Sequence, residues 1–346
     1  MYDIHKKDED FNDYLYNTKY GDLGDWLNMK FATIGHLMMK RDIEQIPKDW
    51  IHEKLMVSPE LNIKGIKGYI IGLKFTASQI IGLPQDKIRQ EILDAALFIQ
   101  DELDVNLIQL GALITSVTSG GKWLVDQGKY SGFVNHGDSY TAAVTCKVVE
   151  KTLDQFKEKA PDLILAVVGA HGIIGEAVSK ILVPKFNHSI LIGRREEPLK
   201  KLEAKVKGSY ETTTFLKTKE ADIIVTATSH PTALLTSNHL KENAIIVDVS
   251  LPPNLSFDVC HKRPDICRID GGYVDFPKDC PVPIPGMPVG KNYACITEII
   301  MQAMENEHKS HVGSIDINFL KMTEKWAEKY GFIFKELTNF GKPVKN

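Results

Sequence analysis

An uninterrupted apolar run followed by evenly spaced glycines is the most informative pattern in this chain. Residues 163–168 are all apolar, and glycine then recurs three residues apart at Gly169, Gly172 and Gly175. Between residues 177 and 182, apolar side chains return at helical spacing. A continuous apolar run is typical of a strand buried on both faces of a parallel sheet. The pattern therefore predicts a buried strand, a tight turn and a helix.

Five further segments of strand length follow this unit. They lie at residues 189–192, 211–216, 221–228, 244–248 and 267–270. Strands that alternate with helices favour a parallel sheet. We therefore predict an α/β fold built on a Rossmann-type doubly wound parallel sheet, with its first and fourth strands flanking the switch point.

The chain before this sheet carries a second α/β pattern. Strands are predicted at residues 31–37, 69–75 and 106–110. A helix is predicted at 86–103, because apolar residues recur along one of its faces. A second long helix, from residue 139 to about residue 157, joins this unit to the doubly wound sheet.

The glycine turn has the composition of a phosphate-binding loop. Gly169 permits the sharp turn, Gly172 lets a pyrophosphate approach the backbone, and Gly175 lets the helix pack closely on the strand. Unpaired N–H groups at the helix start favour phosphate. The turn therefore predicts a dinucleotide site, although similar turns occur in α/β proteins without a ligand. Its candidate residues are Gly169, Ala170, His171, Gly172, Ile173, Ile174 and Gly175.

Two arginines stand about 20 residues beyond the glycines, where a dinucleotide fold reads the ribose. Arg194 and Arg195 follow the second strand, at a point where an NAD site usually carries an acidic residue. Guanidinium groups suit the 2′-phosphate of NADP, which a carboxylate would repel. We therefore predict NADPH as the cofactor. Glu196 and Glu197 leave NAD as an alternative, and a solvated charged turn is the interpretation without a ligand.

Residues at two strand ends complete the predicted cofactor site. Thr226, Ala227, Thr228 and Ser229 lie at the carboxyl end of the fourth strand, where the nicotinamide half of the cofactor is expected. Simple capping of the strand end is an equally good interpretation of their hydroxyls. Asp248 ends the fifth strand at the same edge and is included in the predicted site.

Composition narrows the class of protein. The 346 residues are 43% hydrophobic and 25% charged with a net charge of −3, which indicates a globular protein and argues against nucleic-acid binding. Five scattered cysteines without a signal peptide predict the cytoplasm. No apolar run approaches the ~18 residues of a membrane span. Cys260, Cys267 and Cys280 lack the spacing of zinc ligands, so we predict no metal site.

A cysteine near the start of a late helix is the candidate nucleophile. Cys295 lies in the first turn of a helix predicted from about residue 292 to 306, with Glu298 and Gln302 on its face. Unpaired N–H groups stabilise a thiolate, so we expect a lowered pKa. The alternative is a buried structural cysteine. The proline-rich residues 280–289 are expected to form either an apolar substrate channel or a surface crossover.

These elements divide the chain into four parts. Residues 1–30 are an N-terminal extension, and residues 31–138 form a separate α/β substrate domain. Residues 139–280 form the Rossmann-type NADP-binding domain with its linking helix. Residues 281–346 contain the proline-rich loop and the C-terminal helices that carry Cys295.

Short motifs that follow one another in order resemble a single enzyme family. Over about residues 31–335 the chain is similar to the long-chain fatty acyl-[acyl-carrier-protein] reductases, which make fatty aldehydes. The motifs that carry the resemblance are Ile34-Gly35-His36-Leu37, Leu110-Gly111, His136 with Tyr140-Thr141-Ala142, residues 168–175, Asp222-Ile223-Ile224-Val225, Val247-Asp248, Gly271-Gly272, and Ala294-Cys295 with Glu298.

The resemblance implies a mechanism and partners. An acyl-carrier protein or coenzyme A thioester would pass its acyl group to Cys295, and NADPH would reduce the acyl-enzyme to an aldehyde. The resemblance also aligns His36 and His136, which become the preferred proton donors among the histidines, and a downstream aldehyde-consuming enzyme becomes a candidate partner. The chain departs from the family at His171, where Thr is usual, and in the loop at 280–289.

Two other functions are compatible with the sequence. A non-covalent NADP-dependent dehydrogenase of the shikimate type has a similar two-domain layout, but it requires a Lys–Asp pair in the first domain and no thiol. A regulatory protein that senses NADP would bind the cofactor without turnover. Transfer of an acyl group to a cysteine distinguishes the first interpretation from both alternatives.

Overall fold

The structure is a computed structural model that describes residues 29–277, 282, 284 and 287–344. Most of the predicted N-terminal extension lies outside the described residues, as do Cys280 and part of the proline-rich loop. Two six-stranded sheets form the main frame of the described chain.

The first sheet combines parallel and antiparallel strands. β1, β4, β5 and β6 run parallel, whereas β2 and β3 pair antiparallel with β4. The prediction at 31–37 is confirmed, and the strand predicted at 69–75 extends to Ile66–Thr76. The two short antiparallel strands have no clear signal in the sequence. The strands are β1 (Phe31–Leu37), β2 (Leu55–Val57), β3 (Leu61–Ile63), β4 (Ile66–Thr76), β5 (Leu107–Leu110) and β6 (Phe133–Asn135).

Helices cover one face of this sheet. The longest buries Ile88, Ile92, Leu93, Ala96 and Ile99, which are the residues of the predicted apolar stripe. They pack against Ala32, Ile34 and Ile71 of the sheet in one core cluster. Short 3₁₀ helices at Lys40–Gln45 and Lys48–Trp50 precede β2. The α-helices are α1 (Ala77–Gly82), α2 (Gln85–Leu103), α3 (Leu113–Val117) and α4 (Lys122–Asp126).

The second sheet is parallel throughout. Its order is β12-β11-β10-β7-β8-β9, so the direction of winding reverses between β7 and β10. This is the doubly wound Rossmann order, which confirms the predicted fold class. Its strands are β7 (Ile164–Val168), β8 (His188–Ile192), β9 (Tyr210–Thr213), β10 (Ile223–Thr226), β11 (Ile245–Asp248) and β12 (Cys267–Asp270). The connecting helices are α5 (Asp138–Phe156), α6 (Ile173–Leu182), α7 (Glu196–Glu203) and α8 (Phe257–Lys262).

The apolar run at residues 163–168 is buried on both sides, as its composition predicts. Leu165 and Val167 of β7 belong to one core cluster, and Ala166 and Val168 belong to another. Alternate residues of a strand point to opposite faces of the sheet, so a strand covered on both faces must be apolar throughout.

Two later helices lie between the sheets. α9 (Ala294–Met304) packs on β1 and β5 of the first sheet and on α5, and α10 (Ile317–Tyr330) also packs on α5. Phe31 of β1, Ile299 of α9 and Leu165 of β7 belong to the same core cluster. The apolar core is therefore continuous from one sheet to the other. The division of the chain into four parts stays a prediction.

Two hairpins follow the second sheet. β13 (Tyr273–Asp275) pairs antiparallel with β14 (Lys291–Tyr293), and β15 (Thr338–Asn339) pairs with β16 (Lys342–Pro343). In the first hairpin Tyr273 lies opposite Tyr293, and α9 begins at the next residue. This hairpin therefore fixes where the helix that carries Cys295 starts.

Candidate functional site

A cavity of about 340 Å³ opens at the carboxyl ends of the parallel strands of the second sheet. The glycine turn after β7 and the loop after β10 form one side of it. The cavity is also lined by residues around the start of α3 and by residues at the starts of α5 and α9. These residues are Ala112, Leu113, Thr115 and Ser116, then Asp138 and Thr141 of α5, and Tyr293, Ala294 and Cys295 at the start of α9.

The glycine turn has the geometry that its sequence predicts. Gly169 has φ +89°, and a Cβ there would lie 2.2 Å from the carbonyl oxygen of Ala227. A Cβ on Gly175 would lie 2.1 Å from the carbonyl oxygen of Gly169, so neither position accepts a side chain. The first helical hydrogen bond runs from Glu176 N–H to the carbonyl of Gly172 at 2.8 Å, which leaves the N–H groups of residues 173–175 unpaired by the helix.

Five of the seven turn residues line the cavity, namely Gly169, His171, Gly172, Ile173 and Ile174. Ala170 is fully buried and Gly175 is buried under the turn, so both support the loop without lining the cavity. The bare glycine loop and the unpaired N–H groups of α6 fit the diphosphate of a dinucleotide.

The two arginines differ in position. Arg194 lines the cavity, whereas Arg195 precedes α7 and does not line it. Both side chains are exposed, and no carboxylate among the described residues forms an ion pair with either of them. Glu197 pairs with Lys201 one turn along α7, at 2.7 Å. The imidazole of His171 packs against Gly193, beside Arg194.

The strand-end residues divide into two groups. Ala227, Thr228 and Ser229 line the cavity, whereas Thr226 is fully buried and its hydroxyl donates to Asp248 at 2.6 Å. The Asp248 carboxylate also accepts from the N–H groups of residues 250, 254 and 255 and from a guanidinium. Asp248 lines the cavity, whereas Thr226 does not. The polar atoms of both residues are engaged within the protein, and their part in cofactor binding stays a prediction.

A buried arginine closes the floor of the cavity. Arg268 contacts Asp248 at 3.2 Å and Asp270 at 2.7 Å, and the centre of its guanidinium lies 4.0 Å from the ring centroid of Phe340. Asp270 also accepts from the Thr338 hydroxyl and from the N–H groups of residues 340 and 341. The C-terminal hairpin is thereby fixed against the cavity. The sequence carries no local signal for this contact.

Cys295 lines the cavity as predicted, but its environment differs from the expected one. The side chain is half-buried in the first turn of α9. Burial raises the pKa of the Cys295 thiol to about 12, and the Asp138 carboxylate adds to this rise. Backbone N–H groups at the helix start lower the pKa, as expected, but by less. The expectation of a lowered pKa is therefore wrong for this structure.

Two carboxyl groups lie close to this thiol. Asp138 lines the cavity, and its carboxyl has no hydrogen-bond partner among the described residues. Glu298 is fully buried, with Oε2 accepting from the Tyr140 N–H at 2.6 Å and Oε1 unpartnered. Burial raises the pKa of Glu298 to about 7. Burial, and then the charge of Glu298, raise the pKa of Asp138 well above its usual range.

Asp138 was missing from the predicted site. Its signal in the sequence is weak, because an acidic residue at the start of a long helix is also an ordinary helix-capping choice. Only the packing of α5 on α9 brings it to the thiol.

The structure places His36 outside the cavity that Cys295 lines, and its role as proton donor stays a prediction. Its Nδ1 lies 2.8 Å from the carbonyl of Leu37, and its Nε2 accepts from the Leu113 N–H at 3.3 Å. Burial lowers its pKa. With both ring nitrogens engaged by the backbone, His36 orients the loop that forms one cavity wall.

His136 likewise does not line the cavity that contains Cys295, and its role as proton donor stays a prediction. It lines a second cavity of about 170 Å³ together with Lys309 and His311. Its Nδ1 accepts from the Asp138 N–H at 2.9 Å, and burial lowers its pKa to about 3, helped by the nearby His311. Two further histidines, His171 and His230, line the main cavity.

Among the described residues no group of His, Cys, Asp and Glu is arranged to hold a metal ion. No helix in this part of the chain is long and apolar enough to cross a membrane. Cys146 is buried in the core on α5, and Cys260 and Cys267 are half-buried outside the cavity. In the proline-rich loop, Val282 and Ile284 pack against the core and do not line the cavity.

One protein family matches the sequence across the second sheet. Residues 148–270 match the family described as shikimate / quinate 5-dehydrogenase. The long-chain acyl-[acyl-carrier-protein] reductase of Synechococcus elongatus is 29% identical over 180 residues, which are 50% of this chain and 52% of that protein. The match thus spans about half the length of this curated relative. These matches support an oxidoreductase that binds a nicotinamide dinucleotide.

Solved structures resemble the chain at low sequence identity. L-tryptophan dehydrogenase from Nostoc punctiforme is 11% identical with a TM-score of 0.41, and the alignment covers 88% of this chain and 81% of that one. Malic enzyme from Entamoeba histolytica is 12% identical with a TM-score of 0.47, covering 98% and 70%. The nucleotide-binding domain of glutamyl-tRNA reductase from Thermoplasma volcanium is 18% identical with a TM-score of 0.28, covering 36% and 84%.

Proposed function

We propose that this protein reduces an activated long-chain acyl group, presented as a thioester of acyl-carrier protein or coenzyme A, to an aldehyde. The acyl group is carried on Cys295, and NADPH is the reductant. The observation that supports this function best is that Cys295 and the dinucleotide-type glycine turn line the same cavity. A thiol beside a nicotinamide site is the arrangement that reduction of an enzyme-bound thioester requires.

The residues that line the cavity have separate roles in the proposed reaction. The glycine turn and the unpaired N–H groups of α6 would hold the diphosphate of NADPH, and Arg194 would contact its 2′-phosphate. When bound, NADPH supplies the hydride. Cys295 holds the acyl carbon in place, while Leu113, Ile173 and Leu251 give the cavity apolar walls that exclude water. A downstream enzyme that consumes the aldehyde remains a predicted partner.

A non-covalent dehydrogenase of the shikimate type is the second candidate, and the match of residues 148–270 favours it. That chemistry requires a lysine paired with an aspartate at the substrate. No lysine is present among the described residues that line the cavity, whereas a cysteine is. This composition favours covalent chemistry at the thiol.

Incubation with acyl thioesters in the absence of NADPH tests the proposal. We expect the intact mass to increase by one acyl group, the adduct to map to the peptide that contains Cys295, and added NADPH to release aldehyde. Cys295→Ser should bind NADPH normally and form neither adduct nor aldehyde, because thiolate chemistry is lost.

Cys260→Ser is the matched control, since Cys260 is a half-buried thiol outside the cavity. It should retain adduct and aldehyde formation. Aldehyde production by Cys295→Ser at the normal rate, or an adduct on Cys146 or Cys280, would show that Cys295 does not carry the acyl group.

A further inference from the structure

We propose that the carboxyl group of Asp138 is the acid–base group of the site, which takes the proton from the Cys295 thiol and returns it to the departing carrier thiol. The inference rests on the proposed function and adds a residue that the sequence did not single out. It differs from the prediction of His36 or His136 as proton donor, since neither histidine lines the cavity that Cys295 lines.

The backbone brings Asp138 to Cys295. Gly137 has φ +72°, and a Cβ there would lie 2.7 Å from the Cβ of Cys295. The starts of α5 and α9 are therefore in direct contact, and the next residue in the chain is Asp138. Its N–H donates to Nδ1 of His136 at 2.9 Å, so the backbone at this position is held in place. Asp138 and Cys295 then line the same cavity.

The Asp138 carboxyl has no structural partner among the described residues. It forms neither a hydrogen bond nor an ion pair there, whereas the buried Asp248 and Asp270 nearby accept from several protein donors. Carboxyl groups that face a cavity without partners are available for proton transfer. This distinguishes Asp138 from the acidic residues that hold the fold together.

The charged and titratable groups around Asp138 favour proton exchange. On α9 it faces Cys295 and the buried Glu298, and Tyr293 stands just before that helix. His136, whose Nδ1 accepts from the Asp138 N–H, is neutral because burial lowers its pKa to about 3. Burial and the Glu298 charge together raise the pKa of Asp138 well above its usual range. A carboxyl group with a raised pKa exchanges protons well near neutral pH.

Acyl transfer to Cys295 exchanges one carbon–sulfur bond for another and moves one proton through Asp138. The Asp138 carboxylate takes the thiol proton, and the Cys295 sulfur forms a bond to the acyl carbon of the thioester. The bond between that carbon and the carrier sulfur breaks, and the carrier leaves as a thiol with the proton from Asp138. Asp138 is again a carboxylate and Cys295 carries the acyl group. After reduction and release of the aldehyde, the Cys295 thiolate regains a proton through Asp138.

Asp138→Asn tests this role because it changes two reactions of Cys295 in opposite directions. Alkylation by iodoacetamide needs only the thiolate, and removal of the neighbouring negative charge should make it several-fold faster. Acyl transfer from a thioester without NADPH also needs the proton relay, so its rate should fall by on the order of 10²-fold. Both rates can be followed by mass spectrometry of the peptide that contains Cys295.

Asp154→Asn is the matched control, since it removes the same charge from the far end of α5 and should change neither rate. Asp138→Glu should restore part of the acyl transfer. If alkylation and acyl transfer both become faster in Asp138→Asn, the carboxyl group only lowers the reactivity of the Cys295 thiol, and the inference is wrong. Unchanged acyl transfer in Asp138→Asn would overturn the inference as well. If the unmodified protein forms no adduct, the proposed function itself fails.

Discussion

Arg194 and Arg195 are the residues through which the 2′-phosphate of NADPH would be recognised. Both are exposed and free of carboxylate partners among the described residues, and Arg194 lines the cavity. A charge-assisted hydrogen bond contributes ~1.5–3 kcal/mol. We therefore expect Arg194→Ala to weaken NADPH binding roughly tenfold and to leave NADH binding unchanged. Fluorescence titration of both cofactors measures this.

Lys200→Ala provides the control, because it removes one exposed cation from α7, the helix that follows the arginines. It should leave both affinities unchanged. Equal affinities for NADPH and NADH in the unmodified protein, or an equal loss of both in Arg194→Ala, would mean that the arginines do not read the 2′-phosphate.

Glu298 makes the free energy of unfolding of this protein decrease as the pH rises. Its pKa is raised from 4.5 to about 7 in the folded protein, so the folded state binds the proton more tightly than the unfolded chain. The stability that this group contributes is present below pH 4.5 and is lost as the pH rises to about 7. A shift of this size corresponds to about 3 kcal/mol.

We therefore expect Glu298→Gln to gain stability relative to the unmodified protein as the pH rises from about 4.5 to 7. Urea unfolding at a series of pH values measures the difference. Glu102→Gln, at an exposed position of α2, should show no such gain. A constant difference between Glu298→Gln and the unmodified protein across this range would contradict the assigned direction.

At the level of secondary-structure elements, the contact between the starts of α5 and α9 depends on Gly137. Alanine there would be strained at φ +72° and would collide with Cys295. Gly128 also has positive φ, +63°, but nothing lies within 4 Å of its position. We expect Gly128→Ala to cost only the backbone strain of about 1–2 kcal/mol, and Gly137→Ala to cost clearly more.

Denaturant unfolding of both variants gives the stabilities, and alkylation of Cys295 reports the local packing. Gly137→Ala should also alter the alkylation rate of Cys295, because α9 must shift, whereas Gly128→Ala should not. Equal destabilisation by the two substitutions would show that the helices do not meet as closely as described.

At the scale of the whole molecule, the shared core predicts that both sheets unfold together. Phe31 of the first sheet and Leu165 of the second belong to one cluster with α5 and α9 between them. Leu165→Ala should cost ~2–5 kcal/mol. It should lower the unfolding midpoint reported by Trp50 and Trp123, which lie in the first half of the chain, as much as the midpoint from circular dichroism.

The fluorescence measurement is clearest with Trp26→Phe and Trp326→Phe as the background, because only Trp50 and Trp123 then remain. Val125→Ala, an exposed position on α4, should leave the midpoint unchanged by either signal. A tryptophan transition that Leu165→Ala does not move would show that the first half folds independently.

Much of the fold could be predicted from the sequence because its signals are local. The apolar run before Gly169 has the composition of a strand buried on both faces, and β7 is buried in that way. The apolar stripe of α2 was predicted for the same reason, since its spacing reflects a single helix. The pairing of β13 with β14 was not predicted, because 15 residues separate the two strands in the chain.

The amino-acid sequence by itself determined the Rossmann-type sheet, the glycine turn and the position of Cys295 near a helix start, since each depends on neighbours along the chain. Tertiary structure alone decided which polar groups meet at the thiol. It turned His36 and His136 toward other partners, brought Asp138 to Cys295 and raised the thiol pKa to about 12 instead of lowering it. The physical reason is that burial and charge pairing depend on contacts between residues distant in the chain, which no local pattern records.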